Sequence, residues 1–167
     1  MQSKTINRSD KAAVFISAAL LLLITALIFL SSCSNEYEKL VIRDQESGKI
    51  YASYPCPNGT QFSVEFTHSV NKSPVIDVFE VSEGVISVVE ARYYTFGAGM
   101  PFSSDEPGWT FTTGEDGTII VTGITYTYDS LNYIVGTVYD HILTINGESI
   151  NLRELCSKNA KISISQE

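Results

Sequence analysis

From Lys39 onward, hydrophobic residues alternate with polar ones, and this period of two constrains the fold more than any other feature of the chain. The clearest instance is Gln61–Thr67, QFSVEFT, in which Phe62, Val64 and Phe66 share one face. Alternation of this kind is typical of a strand with one buried face, because successive side chains of a strand point to opposite sides. No long segment has the 3.6-residue period of an amphipathic helix. The chain after Lys39 is therefore predicted to be all-β.

Turn residues divide this part of the chain into about nine to ten short strands. A hairpin is predicted where Ser82-Glu83-Gly84 follows one apolar run and precedes another. A second is predicted at Asn146-Gly147, since these residues tolerate the positive φ angles of a type I′ turn. Tyr133–Tyr139 is predicted as one strand and Asn151–Leu155 as a single helical turn. Short strands joined by tight turns favour an antiparallel sandwich or a partly closed barrel.

The N-terminal residues have the order of an export signal. Basic residues before position 12 precede an uncharged, mostly aliphatic run at 12–30, and LSSC follows at 30–33. The LSSC segment resembles the bacterial lipobox, which implies cleavage before Cys33 and a diacylglycerol thioether on its sulfur. The alternative is an uncleaved signal anchor, because a run of this length could also span a bilayer of about 30 Å.

This interpretation divides the chain into a lipoprotein signal peptide at 1–32, a lipidated tether at 33–39 and a single β domain at 40–167. It predicts an extracytoplasmic location on the outer face of the cell membrane, or the outer membrane if the cell has two. The signal-anchor alternative leaves the domain on the same side of the membrane.

The mature chain is predicted to be strongly acidic. Removal of the signal peptide takes away Lys4, Arg8 and Lys11 but only one acidic residue, Asp10, which changes the net charge from −8 to −10. Such a surface repels nucleic-acid phosphates and anionic lipid head groups. Nucleic acid is therefore excluded as a partner, and membrane attachment is expected to depend on the lipid at Cys33.

Two cysteines remain after the anchor, Cys56 and Cys156. Outside the cytoplasm they could pair, and closing a loop of about 100 residues would add roughly 4 kcal/mol on the chain-entropy model. The alternative is two separate buried thiols.

The two histidines, His68 and His141, both fall at predicted strand ends beside polar residues. With Asp77 they could support metal or acid–base chemistry only if the fold assembles them, since no His-x-His or Cys-x-x-Cys spacing is present. Ser69 follows His68 directly, but adjacent strand residues point to opposite faces, so the pair is no catalytic dyad by sequence. No catalytic residue, metal or cofactor is assigned. A small hydrolase or metal-dependent enzyme that uses His68 and His141 is the alternative function.

The segment FGAGMP at 96–101 places two glycines one residue apart, which permits backbone conformations that a side chain would forbid. It lacks the spacing and the Lys-Ser/Thr ending of a phosphate loop. Its amides could bind a carboxylate or a peptide, and the alternative is a corner where backbone packs closely. Trp109, the only tryptophan, is interpreted either as a core residue, which is the commoner case, or as a binding platform.

Three segments in this order, THSVNKSPVIDVF at 67–79, FGAGMP at 96–101 and DHIL at 140–143, resemble the bacterial family known as domain of unknown function 1850. The resemblance covers about residues 40–164. Many members carry Glu where this chain has Asn71 and where it has Asp77, so a family site built on two carboxylates would keep only one here. By position, the family motifs correspond to His68, Ser69, Val70, Lys72, Pro74, Val75, Asp77 and Phe79, then to Gly97, Ala98, Gly99, Met100 and Pro101, and then to His141.

This family has no established activity, and the resemblance implies an exported β domain found beside tripartite ATP-independent periplasmic transporters of the TAXI type. The leading hypothesis is therefore a lipid-anchored, non-catalytic accessory or binding domain that contacts a transporter subunit, a solute-binding protein or the solute. His68 and Lys72 would then donate to a carboxylate, together with the amides of 97–99. A structural cell-surface lipoprotein is a further alternative. The predicted ligand- or partner-binding residues are His68, Ser69, Lys72, Asp77, Gly97, Ala98, Gly99, Met100, Pro101 and His141.

Overall fold

The computed structural model describes residues 39–94 and 107–167, and within them strands predominate, as the alternation predicts. The described residues form twelve strands and one short helix, so the prediction of nine to ten strands was too low. The predicted lipid-attachment residue Cys33 and the FGAGMP segment lie outside the described residues. The strands are β1 (Lys39–Asp44), β2 (Ile50–Pro55), β3 (Gln61–Thr67), β4 (Pro74–Ser82), β5 (Val85–Tyr93), β6 (Thr110–Thr113), β7 (Ile119–Thr122), β8 (Thr127–Tyr128), β9 (Leu131–Ile134), β10 (His141–Ile145), β11 (Glu148–Asn151) and β12 (Lys161–Gln166), and the helix is α1 (Leu152–Cys156).

The strands form two antiparallel sheets. The smaller sheet has the order β2-β1-β12-β9, and the larger has the order β11-β10-β3-β4-β5-β7-β6, with β8 beside β5. Over the described part of the chain neither sheet closes on itself, so of the two predicted architectures the structure has the sandwich rather than a barrel.

The core lies where the two sheets face each other. Leu40 of β1 and Ile164 of β12, from the smaller sheet, belong to one buried cluster with Phe62 of β3 and Phe79 of β4, whose rings stack at 5.1 Å. These residues come from the apolar halves of alternating strands, and removing them from water is the main stabilising term for a chain of this size. Leu152 of α1 packs into the same cluster.

Both predicted hairpins are confirmed by the backbone. Asn146 and Gly147 have φ angles of 52° and 81°, and Glu83 and Gly84 have 53° and 81°. Successive positive φ values are those of a type I′ turn, which matches the right-handed twist of the flanking strands. The predicted helical turn is also confirmed, as α1, whose N-cap Asn151 accepts from the amide of Arg153 at 2.9 Å.

The prediction of a strand over Tyr133–Tyr139 is wrong beyond Ile134, where β9 ends. The Gly136 amide donates to Nδ1 of His141 at 3.2 Å, so the chain turns back toward β10. A Cβ at Gly136 would overlap the carbonyl oxygen of Tyr139, and this tight return requires glycine.

Cys56 and Cys156 are both free thiols, buried in the main core, so the structure has the second of the two alternatives given for them. Burial raises the pKa of the Cys56 thiol and, with Asp44 as a minor cause, raises that of Cys156 to about 11. Thiols of this kind are protonated at neutral pH and chemically inert.

A bulge in β5 changes which strand it pairs with. The register between β4 and β5 shifts after Val78, which leaves Val89 as an extra residue. Before the bulge, β5 pairs with β8 through Ile86 and Ser87, and after it β5 pairs with β7 through residues 90–93. The connection at 123–126 therefore crosses from one half of β5 to the other. None of the described helices is long and apolar enough to span a membrane.

Candidate functional site

A cavity of about 550 Å³ lies between the two sheets beside this split in β5. One wall comes from β3, β4 and β5 of the larger sheet. The other comes from residues 124–133, which end in β9 of the smaller sheet. We call it the aromatic cavity, and it is lined by Phe66, His68, Val75, Asp77, Phe79, Val88, Ala91, Tyr93, Trp109, Ile124, Tyr126, Tyr128, Ser130, Leu131, Asn132 and Tyr133.

Aromatic rings dominate the lining. Trp109 meets Tyr126 edge to face, with the ring centroids 5.8 Å apart. A close approach of two glycines allows this contact. A Cβ at Gly123 would overlap the carbonyl oxygen of Gly108, the residue directly before Trp109. Tyr126 and Tyr128 are 50% and 43% exposed, so their side of the cavity opens to solvent. The tryptophan is thus half-buried against other rings and also lines the cavity.

Asp77 carries the one carboxyl group among the described cavity-lining residues, which include no lysine or arginine. On β4 it pairs with Val64 of β3 on one side and Ala91 of β5 on the other. Alternation puts Asp77 on the inner face with its neighbours Val75 and Phe79, both buried. A carboxyl group therefore occupies a position that the strand pattern otherwise fills with apolar side chains.

The Asp77 carboxyl has no compensating partner in the part of the chain that the structure describes. Burial alone raises its pKa from 3.8 to about 6. Arg92, on the neighbouring strand, lies on the outer face and forms an ion pair with Glu90. Burial and the charge of Asp77 together raise the pKa of the Tyr133 phenol, which places that phenol near the carboxylate. The other titratable side chains lining the cavity are His68, Tyr93, Tyr126 and Tyr128.

His68 lines the cavity from the tight connection between β3 and β4. The His68 amide donates to the Ser73 carbonyl at 2.9 Å, and the Lys72 amide donates to the His68 carbonyl at the same distance. Nδ1 of His68 accepts from the Asn71 amide at 3.2 Å, which assigns the ring proton of the neutral form to Nε2. The imidazole is thus held by local backbone, as is expected of a strand-end histidine.

Residues 62–152 match the profile of the family described as Domain of unknown function (DUF1850). The match covers more than half of the chain. The chain belongs to this family. No curated protein and no solved structure matches the chain. All cavity-lining residues fall within the DUF1850 match, so the site is part of the family domain.

The structure separates the predicted DUF1850 site residues into three groups. His68 and Asp77 line the aromatic cavity. Ser69 is exposed in the turn after β3, and the Lys72 ammonium lies 5.5 Å from the ring centroid of Tyr139. Neither lines the cavity. Gly97, Ala98, Gly99, Met100 and Pro101 lie outside the described residues.

His141, the third DUF1850 motif, lies behind the cavity wall rather than in it. It pairs with Phe66 across β10 and β3, and their rings stack at 5.8 Å. The His141 ring also meets the Tyr133 ring edge to face, with the ring centroids 5.9 Å apart. Burial, with the nearby Arg153 as a second cause, lowers the pKa of His141, so the ring is neutral at pH 7. His141 therefore positions two aromatic walls of the cavity.

Sequence reasoning missed most of the aromatic lining, including Tyr93, Tyr126, Tyr128 and Tyr133. The available signal was TYTY at 125–128, because alternate positions of an extended segment put two tyrosines on one face. Among residues 39–94 and 107–167, no group of three His, Cys, Asp or Glu side chains is arranged to hold a metal ion.

Proposed function

We propose that this protein is a lipid-anchored, extracytoplasmic binding domain that holds a small molecule in the aromatic cavity and serves as a non-catalytic accessory to a solute uptake transporter. The observation that carries the binding function is the cavity itself. Its volume of about 550 Å³ lies within the roughly 300–1,000 Å³ of small-molecule sites. Mostly apolar walls with a few convergent polar groups are also typical of such sites.

The energetics of Asp77 support binding over a purely structural role. A half-buried carboxyl that no described residue pairs with destabilises the folded protein, since water solvates its charge better than the cavity does. Groups that weaken the fold in this way are concentrated at functional sites. The lipid anchor at Cys33 and the transporter association come from the sequence, through the LSSC motif and the DUF1850 resemblance.

The binding function is tested by identifying the small molecules that co-purify with the protein. The full chain is purified from its own membranes in mild detergent and denatured, and the released small molecules are identified by mass spectrometry. Ala91 lines the cavity and lies between Asp77 and Val121 in the sheet. Ala91→Leu fills part of the cavity and is expected to abolish the release. Ala52→Leu on β2 adds the same atoms away from the cavity and should carry the same molecules as the wild type. Identical molecules from all three proteins, or none from any, contradict the proposal.

The transporter association is tested separately by recovery of membrane proteins. Cross-linked full chain is expected to recover transporter components, and a His68→Ala, Gly99→Val double variant is expected to recover fewer. Equal recovery by both forms would show that these two DUF1850 motifs are not the contact surface. Mass spectrometry of the mature N-terminus at Cys33 tests the lipid anchor directly.

An enzymatic function is the second candidate, because Asp77 and His68 line one cavity and the Asp77 pKa of about 6 suits a general base near neutral pH. It predicts that Asp77→Asn abolishes turnover of a carried molecule by the purified protein. Recovery of the molecule unchanged after long incubation with wild-type protein would exclude it.

A further inference from the structure

The side chains that line the aromatic cavity indicate which chemical class of ligand it binds. Asp77 is the one formal negative charge among its described lining residues, and no basic side chain shares the lining. The nearest basic residue on the adjoining strand, Arg92, is exposed on the opposite face and paired with Glu90. The cavity therefore presents a partly desolvated carboxylate, and none of its described lining residues supplies a cation for it.

We infer that the ligand of the aromatic cavity is an organic cation, a molecule that carries an ammonium group on a small apolar or aromatic body. This inference rests on the proposed binding function and names the ligand class of the same site. The ammonium would lie against the Asp77 carboxylate. The body would lie among the rings of Trp109, Tyr126 and Tyr128.

The aromatic walls favour a cation independently of Asp77. The face of an aromatic ring carries partial negative charge, and tryptophan and tyrosine attract ammonium groups within about 6 Å of the ring centroid. Trp109 lines the same cavity as three tyrosines of residues 124–133, namely Tyr126, Tyr128 and Tyr133. Recognition of ammonium ligands by such aromatic cages is a recurrent use of this interaction.

Other ligand classes match the lining less well. An anion would be repelled by Asp77 and by the net charge of −10 predicted for the mature chain. The described lining residues include no arginine or lysine that could bind it. A bare metal ion needs several ligands, and the described residues hold no group of three. A neutral sugar could bond to the polar side chains of the lining but would supply no cation for the Asp77 carboxylate.

The test uses three probes of similar shape and different charge: phenethylamine, 2-phenylethanol and phenylacetate. Binding to the full chain in detergent is measured by isothermal titration calorimetry at pH 7.5. Phenethylamine is expected to bind at least tenfold more tightly than 2-phenylethanol, and phenylacetate more weakly than either. Asp77→Asn should reduce the preference for the amine to within about twofold.

Matched controls separate the carboxylate of the cavity from general acidity. Asp129 lies in the exposed turn between β8 and β9 and does not line the cavity, so Asp129→Asn should keep the tenfold preference. Benzyltrimethylammonium has a charge that cannot titrate. Its affinity should fall severalfold between pH 7.5 and pH 5, as Asp77 takes up a proton, and should fall by a smaller factor in Asp77→Asn, which keeps His68 in the lining.

The outcomes distinguish this inference from the function on which it rests. Equal binding of the three probes, or tightest binding of phenylacetate, overturns the organic cation while leaving a binding cavity. Release of a neutral sugar or an anion from the purified protein does the same. If no probe binds and no cellular molecule is released, both the inference and the binding function fail. A tenfold preference that survives in Asp77→Asn also overturns the role given to this carboxylate.

Discussion

Gln166 and Asp77 are both polar side chains that face the interior of the same sandwich, and the protein treats them in opposite ways. Gln166, at the end of β12, is 3% exposed. Its Nε2 donates to the Cys56 carbonyl at 2.8 Å, and its Oε1 accepts from the Gly84 amide at 2.9 Å. Asp77, at the middle of β4, has burial as the sole cause of its raised pKa.

The difference separates a polar group that serves the fold from one that weakens it. Gln166 bonds two backbone groups, a buried carbonyl after β2 and a half-buried amide in the β4–β5 turn. Asp77 lines a cavity instead and gains no such bond from the described residues. An apolar residue at Asp77 would fit the strand pattern better, which is why we assign this carboxyl to binding.

The largest expected effect is on the Gln166 side of the comparison. Gln166→Leu removes the partner of the buried Cys56 carbonyl and of the half-buried Gly84 amide, and should lower the free energy of unfolding by about 3 kcal/mol. Urea unfolding at pH 7.5 measures it. Gln61→Leu is the matched control, since Gln61 is exposed and bonds only Glu80. A loss in Gln166→Leu no larger than in this control would mean that Gln166 does not support the fold.

Replacing Asp77 should raise the free energy of unfolding rather than lower it, and by a smaller amount. Its pKa is 3.8 unfolded and about 6 folded, so between these values the native state holds the extra proton. The cost of ionisation is therefore absent below about pH 4 and complete above about pH 6 to 7, where it reaches roughly 3 kcal/mol. Asp77→Asn should raise the free energy of unfolding by about 2 kcal/mol at pH 7.5.

Urea unfolding of Asp77→Asn and wild type at pH 7.5 and pH 4 measures this difference, with Asp129→Asn as the control. The gain should fall to a small fraction of its value at pH 4, where Asp77 is protonated in the folded state and partly protonated in the unfolded state. Destabilisation at pH 7.5 would show that the carboxylate has a partner in the folded protein, and the contrast with Gln166 would then be wrong.

The sequence predicted the sandwich well because its determinants are local. Alternation in Gln61–Thr67 and the turn at Asn146-Gly147 depend only on residues close in the chain. The end of β9 was missed because alternation does not encode the side-chain contact on which it depends. The Gly136 amide donates to Nδ1 of His141, five residues later, and this bond overrides the strand-like pattern of Tyr133–Tyr139.

The cavity was harder to predict because it depends on register. Alternation places Asp77 on the inner face of β4, so its direction could have been predicted from the sequence. The absence of a described cation beside it could not, since the bulge at Val89 shifts the alternation of β5 and so decides that Ala91, rather than Arg92, shares the inner face with Asp77. Trp109 and Tyr126 meet through a close approach of two glycine backbones, and no spacing rule reveals such a contact.

Lys72 provides the smallest expected effect and the sharpest check on Asp77. Lys72 is the basic residue of the DUF1850 motifs that is closest in sequence to Asp77. Its ammonium nevertheless lies 5.5 Å from the ring centroid of Tyr139, and it does not line the cavity. Lys72→Met should therefore lower the free energy of unfolding by no more than about 0.5 kcal/mol. Lys49→Met is the matched control, because Lys49 lies over the Tyr51 ring in the same way, at 5.2 Å. Both variants should keep the wild-type dependence of stability on pH between 4 and 7.5. A changed dependence in Lys72→Met alone would make Lys72 the counter-ion of Asp77, and the cavity would then need no cation from a ligand.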